Sequence, residues 1–323
     1  MKKKDYILIL LSFILCSCLD MDKSGREKIV NKESLWDYDY RLFQSTPVWN
    51  LAKAVEDGDE DLINEILTKN PKLANFQEPS HKMTLLMLTI LNQRKATFPY
   101  SLICANQQCG LKLNESQWRS FCALLKNDAS VNIADSSGRT ALLIACGCDY
   151  YDAKYVKELI KHGADVNYIC PPHKTNRKGD ATPLLNAVRC NNLDMVKLLV
   201  KNGADINYVD KYNNTALGMS LFDSKYDITM YLLENGADYT IPVSQKSYHT
   251  FGNDNDTCKL RIEEELRYDV WPLHSNKYKL KMQIVSFLKK KNINYRAVEI
   301  PKDVIDYAKE EYPTNWKYYL DNY

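Results

Sequence analysis

Apolar residues between Thr182 and Asn214 fall into two short helical stretches divided by polar turns. Leu184, Leu185, Ala187 and Val188 form the first. Val196, Leu199 and Val200, spaced i, i+3, i+4, form one stripe of the second. Thr182-Pro183 predicts the first helix start, because a Thr hydroxyl caps free amides and Pro at the first helical position has no amide to lose. Asn191-Asn192 predicts a short turn. Gly203 predicts the end of the second helix, since glycine enters the left-handed region without a Cβ clash. Asp205 and Asn207 are turn formers expected to bond local backbone, and Tyr208 to Asn214 leaves as an extended finger.

The same order of signals recurs. Gly163-Ala164-Asp165-Val166-Asn167-Tyr168, Gly203-Ala204-Asp205-Ile206-Asn207-Tyr208 and Gly236-Ala237-Asp238-Tyr239-Thr240 are near-copies, and the last two glycines stand 33 residues apart. That is the period of a stacked helical repeat. Thr140-Ala141-Leu142-Leu143 opens the unit before, followed by Ala145, Val156, Leu159 and Gly163; Thr215-Ala216-Leu217 opens the unit after, followed by Leu232 and Gly236.

These motifs resemble the ankyrin repeat, in which T-P-L-H-x-A opens the first helix and G-A-D-V-N closes the second. The resemblance implies an all-α fold: an ankyrin-repeat solenoid of stacked helix-turn-helix units with short β-hairpin fingers and helical caps. Weaker units flank the three clear ones. Thr84-Leu85-Leu86-Met87 opens one whose second helix, Trp118 to Lys126, arrives late, with Asp128 in the glycine position. Leu51 to Asn75 reads as a first capping repeat. Val285, Phe287, Leu288 and Asn292 fall 89 residues after Val196, Leu198, Leu199 and Gly203 and read as a degenerate repeat, with 303–323 as a helical cap. Two insertions interrupt the register: Cys170 to Gly179, which lengthens a finger by seven residues, and about Arg94 to Gln117 between two helices. Loops on a rigid scaffold are where binding specificity is usually built.

The N-terminus carries a different signal. Lys2, Lys3 and Lys4 precede a ten-residue apolar run, Tyr6 to Leu15, too short for a helix to cross a bilayer. Leu15-Cys16-Ser17-Cys18 follows and resembles the lipobox of bacterial lipoproteins, which implies cleavage before Cys18 and lipidation of its thiol and new amine. A plain secretory signal with an incidental cysteine is the alternative. Leu19, where Asp would resemble inner-membrane retention, points to the outer membrane; Asp20 and Asp22 resemble acidic surface-export tags. Periplasmic and surface faces stay open. The expected organisation is a lipoprotein signal peptide (1–17), a tether (18–45), ankyrin repeats (46–243) and a degenerate repeat with C-terminal helical cap (244–323).

Charge removes one partner class. Without residues 1–17, which hold three lysines and Asp5, 40 basic and 40 acidic residues remain. A neutral chain has no net drive towards nucleic acid. The basic run Lys277, Lys279, Lys281, Lys289, Lys290 and Lys291 reads as the solvated face of a helix with Met282, Val285 and Leu288 inward, rather than as an anion site. The 22 tyrosines fit a coding bias as readily as a function.

Reactive residues give little pattern. Cys104, Cys109, Cys122, Cys146, Cys148, Cys170, Cys190 and Cys258 remain in the mature chain, an even count that permits disulfides in an exported protein. A local Cys104–Cys109 bridge is open. Cys146 and Cys122 sit at core positions, where Cys acts as a small hydrophobe. Cys146, Cys148, His162, Cys170 and His173 supply soft metal ligands at spacings matching no zinc finger, so no metal and no cofactor is expected. No HExxH, GxSxG or P-loop occurs, and a shallow solenoid surface does not form the dry pocket catalysis needs, so the chain is not expected to be an enzyme.

The expectation is therefore a membrane-anchored ankyrin lipoprotein, monomeric, that binds a protein partner in the cell envelope. Inhibitor or immunity proteins are one version, since some ankyrin lipoproteins neutralise toxins. A metal-dependent or enzymatic accessory protein using Cys and His of the insertions is the alternative. By resemblance, contacts come from finger tips: Asp135, Ser137 and Arg139; Tyr168, His173, Lys174 and Arg177; Asp210, Lys211 and Tyr212.

Overall fold

Four threonines start four helices in one way. In the computed structural model, which describes residues 39–92, 108–147, 152–171, 181–243 and 260–323, the hydroxyls of Thr84, Thr140, Thr182 and Thr215 accept from the N–H groups of Met87, Leu143, Leu185 and Gly218 at 2.9–3.3 Å. Each satisfies an amide that the first helical turn leaves open, a contribution of about 1 kcal/mol. The described residues hold fourteen α-helices and no strand, the content of an all-α repeat solenoid. Its fingers are turns, two of them closed by a single antiparallel bridge, Ala134 to Thr140 and Cys170 to Ala181. The contacts divide the chain between residues 129 and 130 into two compact units.

The first unit contains α1 (Trp49–Asp57), α2 (Glu60–Lys69), α3 (Leu85–Asn92) and α4 (Gln108–Lys126). It starts inside the expected tether. Tyr40, Leu42 and Phe43 are buried in a 3-10 turn capped by Asp39, and the Tyr40 hydroxyl donates to Gln117 Oε1 at 2.6 Å. Helix α4 begins ten residues before Trp118, the start that its apolar pattern predicts. The helix also makes polar contacts that no hydrophobic period reveals. Ser116, Gln117 and Ser120 donate to the carbonyls of Asp57, Glu56 and Val55 at 2.8, 3.3 and 2.7 Å. Those carbonyls belong to the last turn of α1, where intrahelical partners run out.

The second unit stacks helix pairs: α5 (Ala141–Ala145) with α6 (Ala153–Lys161), α7 (Pro183–Arg189) with α8 (Leu193–Lys201), and α9 (Ala216–Phe222) with α10 (Tyr226–Glu234). Ala187, Val188, Val196 and Leu199 are wholly buried, as are Tyr155 and Leu159 of α6. Cys146 is buried too, and burial pushes its thiol well above the usual range, so it packs as an unreactive hydrophobe. Beyond residue 260 come α11 (Ile262–Tyr268), α12 (Asn276–Lys290), α13 (Lys302–Glu311) and α14 (Trp316–Asn322). The face of α12 turned inward is Lys281, Ile284 and Leu288, one residue out of phase with the expected Met282 and Val285, which are only half-buried. Tyrosines assemble the cap: Tyr312, Tyr319 and Tyr323 stack in series at 4.7 and 5.4 Å around Val304 and Ala308. In this cap the tyrosines are a packing material, which a coding bias alone does not supply.

The Gly-Ala-Asp-x-Asn copies have a division of labour. Gly163, Gly203 and Gly236 end their helices at φ of 82°, 86° and 93°, and a Cβ added to any of them meets no atom within 4 Å. Glycine is favoured there for its backbone conformation alone. Asp128 takes the same place at φ 59° and Asn292 at φ 64°. The aspartate works locally: Asp165 and Asp205 accept from the amides of Asn167 and Asn207, two residues on, at 2.9 and 3.0 Å. The asparagine does not, contrary to the local bonding predicted for Asn207. Asn132 donates to the Gly163 carbonyl and accepts from the Asp165 amide, both at 2.9 Å. Asn167 does the same to Gly203 and Asp205 at 3.0 and 2.7 Å, and Asn207 to Gly236 and Asp238 at 3.3 and 2.8 Å. Each asparagine thus closes the helix end of the following repeat.

Asn167→Ala deletes two such bonds at once and is expected to cost about 2 kcal/mol, at roughly 1 kcal/mol per bond. Urea denaturation should show it beside Asn202→Ala, whose side chain bonds only its own helix at Leu198 and should cost less than half as much. Equal losses would mean the inter-repeat bonds carry no special weight.

Candidate functional site

A finger precedes each of the three helix pairs of the second unit, and an aspartate builds two of them. Asp135 accepts from the amides of Ser137 and Arg139 at 2.8 Å each and from Arg139 Nε at 2.8 Å. Asp210 accepts from the amides of Tyr212 and Asn214 at 2.8 Å each and from Asn214 Nδ2 at 2.9 Å. Both aspartates are buried. An inward carboxylate already holding three donors anchors its turn and holds out the residues beside it. Arg139 is likewise tied down by Asp135, with its side chain 38% exposed.

The middle finger is built differently. Cys170 stands where the other two have aspartate, seven residues after Gly163 as Asp210 is after Gly203. It is buried, closes the finger by exchanging backbone bonds with Ala181 at 2.9 and 3.4 Å, and its thiol lies 3.5 Å from the Ser137 carbonyl of the preceding finger. The next residue, Pro171, packs so near Gly138 that a Cβ there would come within 2.8 Å of its ring, while Gly138 itself turns at φ 77°. Tyr168 completes the joint by donating its hydroxyl to the Gly138 carbonyl at 2.9 Å. Burial raises the pKa of that phenol, with Cys170 and Asp135 adding to the shift. Tyr168 is a brace between fingers as well as a surface residue. His173, Lys174 and Arg177 lie outside the described residues, as does Cys18.

What the fingers hold out is more apolar than predicted. Ile169 and Val209, at one offset in successive repeats, are 47% and 40% exposed, and Tyr212 is 47% exposed with the Lys211 ammonium 4.9 Å from its ring centroid. Sequence reasoning took Lys211 and Tyr212 and missed Ile169 and Val209. Their signal was present: a β-branched residue two places after the asparagine in two repeats. Beside Ile169 opens a cleft of about 220 Å³, lined by Val166, Leu184 and Tyr208 with Thr182 and Asp205 as polar edges. Scattered apolar residues are ordinary on surfaces; Ile169 and Val209 differ in recurring at one repeat offset.

The family profile described as Ankyrin repeats (3 copies) matches residues 113–207 and 167–242. These residues are ankyrin repeats. No curated protein matches the chain. Ankyrin repeats mediate protein–protein binding, and their domains are generally non-enzymatic interaction modules, which agrees with a surface of rigid fingers and a shallow cleft.

The surface depends on the turn anchors. Asp210→Ala leaves the Tyr212 and Asn214 amides without their acceptor and is expected to cost about 2 kcal/mol, since the lost bonds are to a charged group. Hydrogen exchange should report faster exchange at Tyr212 and Asn214 with unchanged protection in α7 and α8. Global loss of protection instead would show that the finger and the helices fold as one unit.

Proposed function

We propose that this chain is a lipid-anchored ankyrin protein of a bacterial envelope, which binds a protein partner through the fingers of its second unit. One observation carries the binding half: Ile169, Val209 and Tyr212 are held out by turns fixed from within by buried anchors. Holding apolar and aromatic groups exposed on a preorganised frame avoids the ordering cost that weakens most contacts, and Tyr is among the residues that dominate interfaces. The anchor half is supported by the Leu15-Cys16-Ser17-Cys18 signal after a short apolar run. A disulfide at Cys190 fits an oxidising compartment. No helix among the described residues is long and apolar enough to cross a membrane, so attachment by acyl chains on Cys18 is the simplest link to the bilayer. Outer-membrane placement rests on Leu19 after the cysteine. An inhibitor or immunity role is one form this binding takes.

A photoactivatable residue placed singly at Ile169, Val209 or Tyr212 in intact cells should capture one recurring protein, absent when it is placed at exposed Lys201 on α8. In the isolated complex, Val209→Asp with Tyr212→Ala should weaken binding at least 30-fold, about 2 kcal/mol. Capture of equal strength at Lys201 would remove the fingers from the account. Separately, Cys18→Ala should abolish incorporation of labelled palmitate and move the protein to the soluble fraction; persistent labelling would refute the lipobox.

A further inference from the structure

The basic run of α12 is not uniform. Lys289, Lys290 and Lys291 are exposed, whereas Lys281 has 0% of its surface accessible. Its Nζ donates to the backbone carbonyl of Asp269 at 2.9 Å, lies 3.6 Å from the ring centroid of Tyr323, and stands 5.4 Å from that of Tyr295. Arg267 of α11 shares the box, with its guanidinium 4.1 Å from the Tyr295 centroid and Nη1 donating to the Tyr323 carbonyl at 3.1 Å. Tyr323 seals it: its hydroxyl donates to the carbonyls of Arg267 and Asp269 at 3.0 and 2.5 Å. Two helices and two turns therefore meet on one amine.

The charged and titratable groups around that amine come from several elements. From α11 comes Arg267; from the connector to α12, Asp269; from α10, Tyr226; from the 3-10 turn 295–297, Tyr295; from the chain after α14, Tyr323. One turn back on α12 is Lys277, lying over the Trp271 ring at 4.0 Å. The side-chain carboxylate of the set, Asp269, turns to other donors, while the main-chain oxygen of Tyr323, the last residue of the sequence, takes Arg267. Asp269 accepts from Tyr226 Oη at 2.5 Å and from Ser224 Oγ at 3.0 Å, and Trp271 Nε1 donates in turn to Tyr226 at 2.9 Å. Burial raises the Asp269 carboxyl, while those bonds and the nearby lysines oppose the rise. An ammonium at Lys281 would thus sit beside a second buried cation, with a carbonyl in place of a carboxylate as its direct partner. The ring faces favour charge; burial and Arg267 disfavour it.

We propose that Lys281 is a proton-operated latch: its neutral amine holds residues 316–323 against α12, and protonation releases them. Burial, aided by Arg267, depresses the Lys281 pKa to about 6 against the pull of Asp269, whereas a lysine in water keeps its proton up to about pH 10.4. Between those values the released form binds the extra proton. Docking is therefore strongest above about pH 10, weakens steadily as pH falls to 6, and loses nothing further below that.

Hydrogen exchange of the full chain, corrected for the intrinsic pH dependence of the exchange chemistry, reads the latch directly. The opening constant of peptides covering 316–323 should rise roughly 30-fold from pH 7.5 to pH 5 and fall again at pH 9, while peptides from α7 and α8 stay flat. Lys281→Met, with an apolar side chain of similar length, should abolish the response. A change under threefold in the wild type, or an undiminished response in Lys281→Met, overturns the proposal. Should that variant fail to fold, NMR of wild-type protein carrying 13Cε-lysine decides. One lysine titrating near pH 6 supports the latch, and every lysine titrating above pH 9 refutes it.

Discussion

The asparagine that leaves one repeat and closes the helix end of the next is the bond on which this fold most depends. A helix pair of an ankyrin unit cannot bury both of its faces alone, so neighbours must stack, and stacking needs a register. Apolar contacts between Ala187, Val188, Val196 and Leu199 supply attraction without fixing rotation or slip. Asn132, Asn167 and Asn207 supply the register, because each satisfies one donor and one acceptor that lie a fixed distance into the following repeat. Even the weak unit at the start uses the device, with Asn75 reaching the Asp128 carbonyl at 3.4 Å. The glycine before each contact site frees the carbonyl that receives it, and the aspartate fixes the backbone of the asparagine that gives it. The hexapeptide is one joint in three parts.

That joint explains why the fold was legible in sequence and the site was not. Thr182-Pro183 and Gly203 act within a few residues of themselves, so their meaning survives without tertiary information; the threonine caps and left-handed turns lie where the pattern puts them. Asn207 was read as local because its partner stands 29 residues away, a separation no turn rule sees. Ser116, Gln117 and Ser120 of α4 meet carbonyls about 60 residues back, which no periodicity reveals. Lys281 was placed in solvent because its neighbours in sequence are lysines; the rings that enclose it come from 14 and 42 residues downstream. Long-range polar contacts are the common element in these misses.

Within the fingers, the same physics separates anchors from contacts. A carboxylate at a finger tip looks like a partner residue by type. Asp135 and Asp210 instead turn inward, since three donors within two to four residues outbid any external one. The inward turn of Asp210 is what makes Val209 and Tyr212 a presentable surface, because it fixes the backbone between and beside them. Cys170 in the equivalent position gives up carboxylate anchoring in the middle finger. Pro171 against Gly138 and the Tyr168 hydroxyl replace it, tying that finger to the one before.

The third copy of the hexapeptide shows what ends the series. Thr240 replaces asparagine, and its hydroxyl and amide both turn back on Asp238 at 2.6 and 2.9 Å. A residue too short to span the joint is consistent with an end to the series, and past it the described chain changes materials: apolar helix faces give way to stacked tyrosines, a buried arginine and a buried lysine. A cap of that kind closes through stacked rings and carbonyl bonds gathered around a buried amine, unlike the joints of the stack, which close through asparagine amides. The stack and its end then have separate chemical bases, and threonine in place of asparagine at position 240 marks the boundary between them.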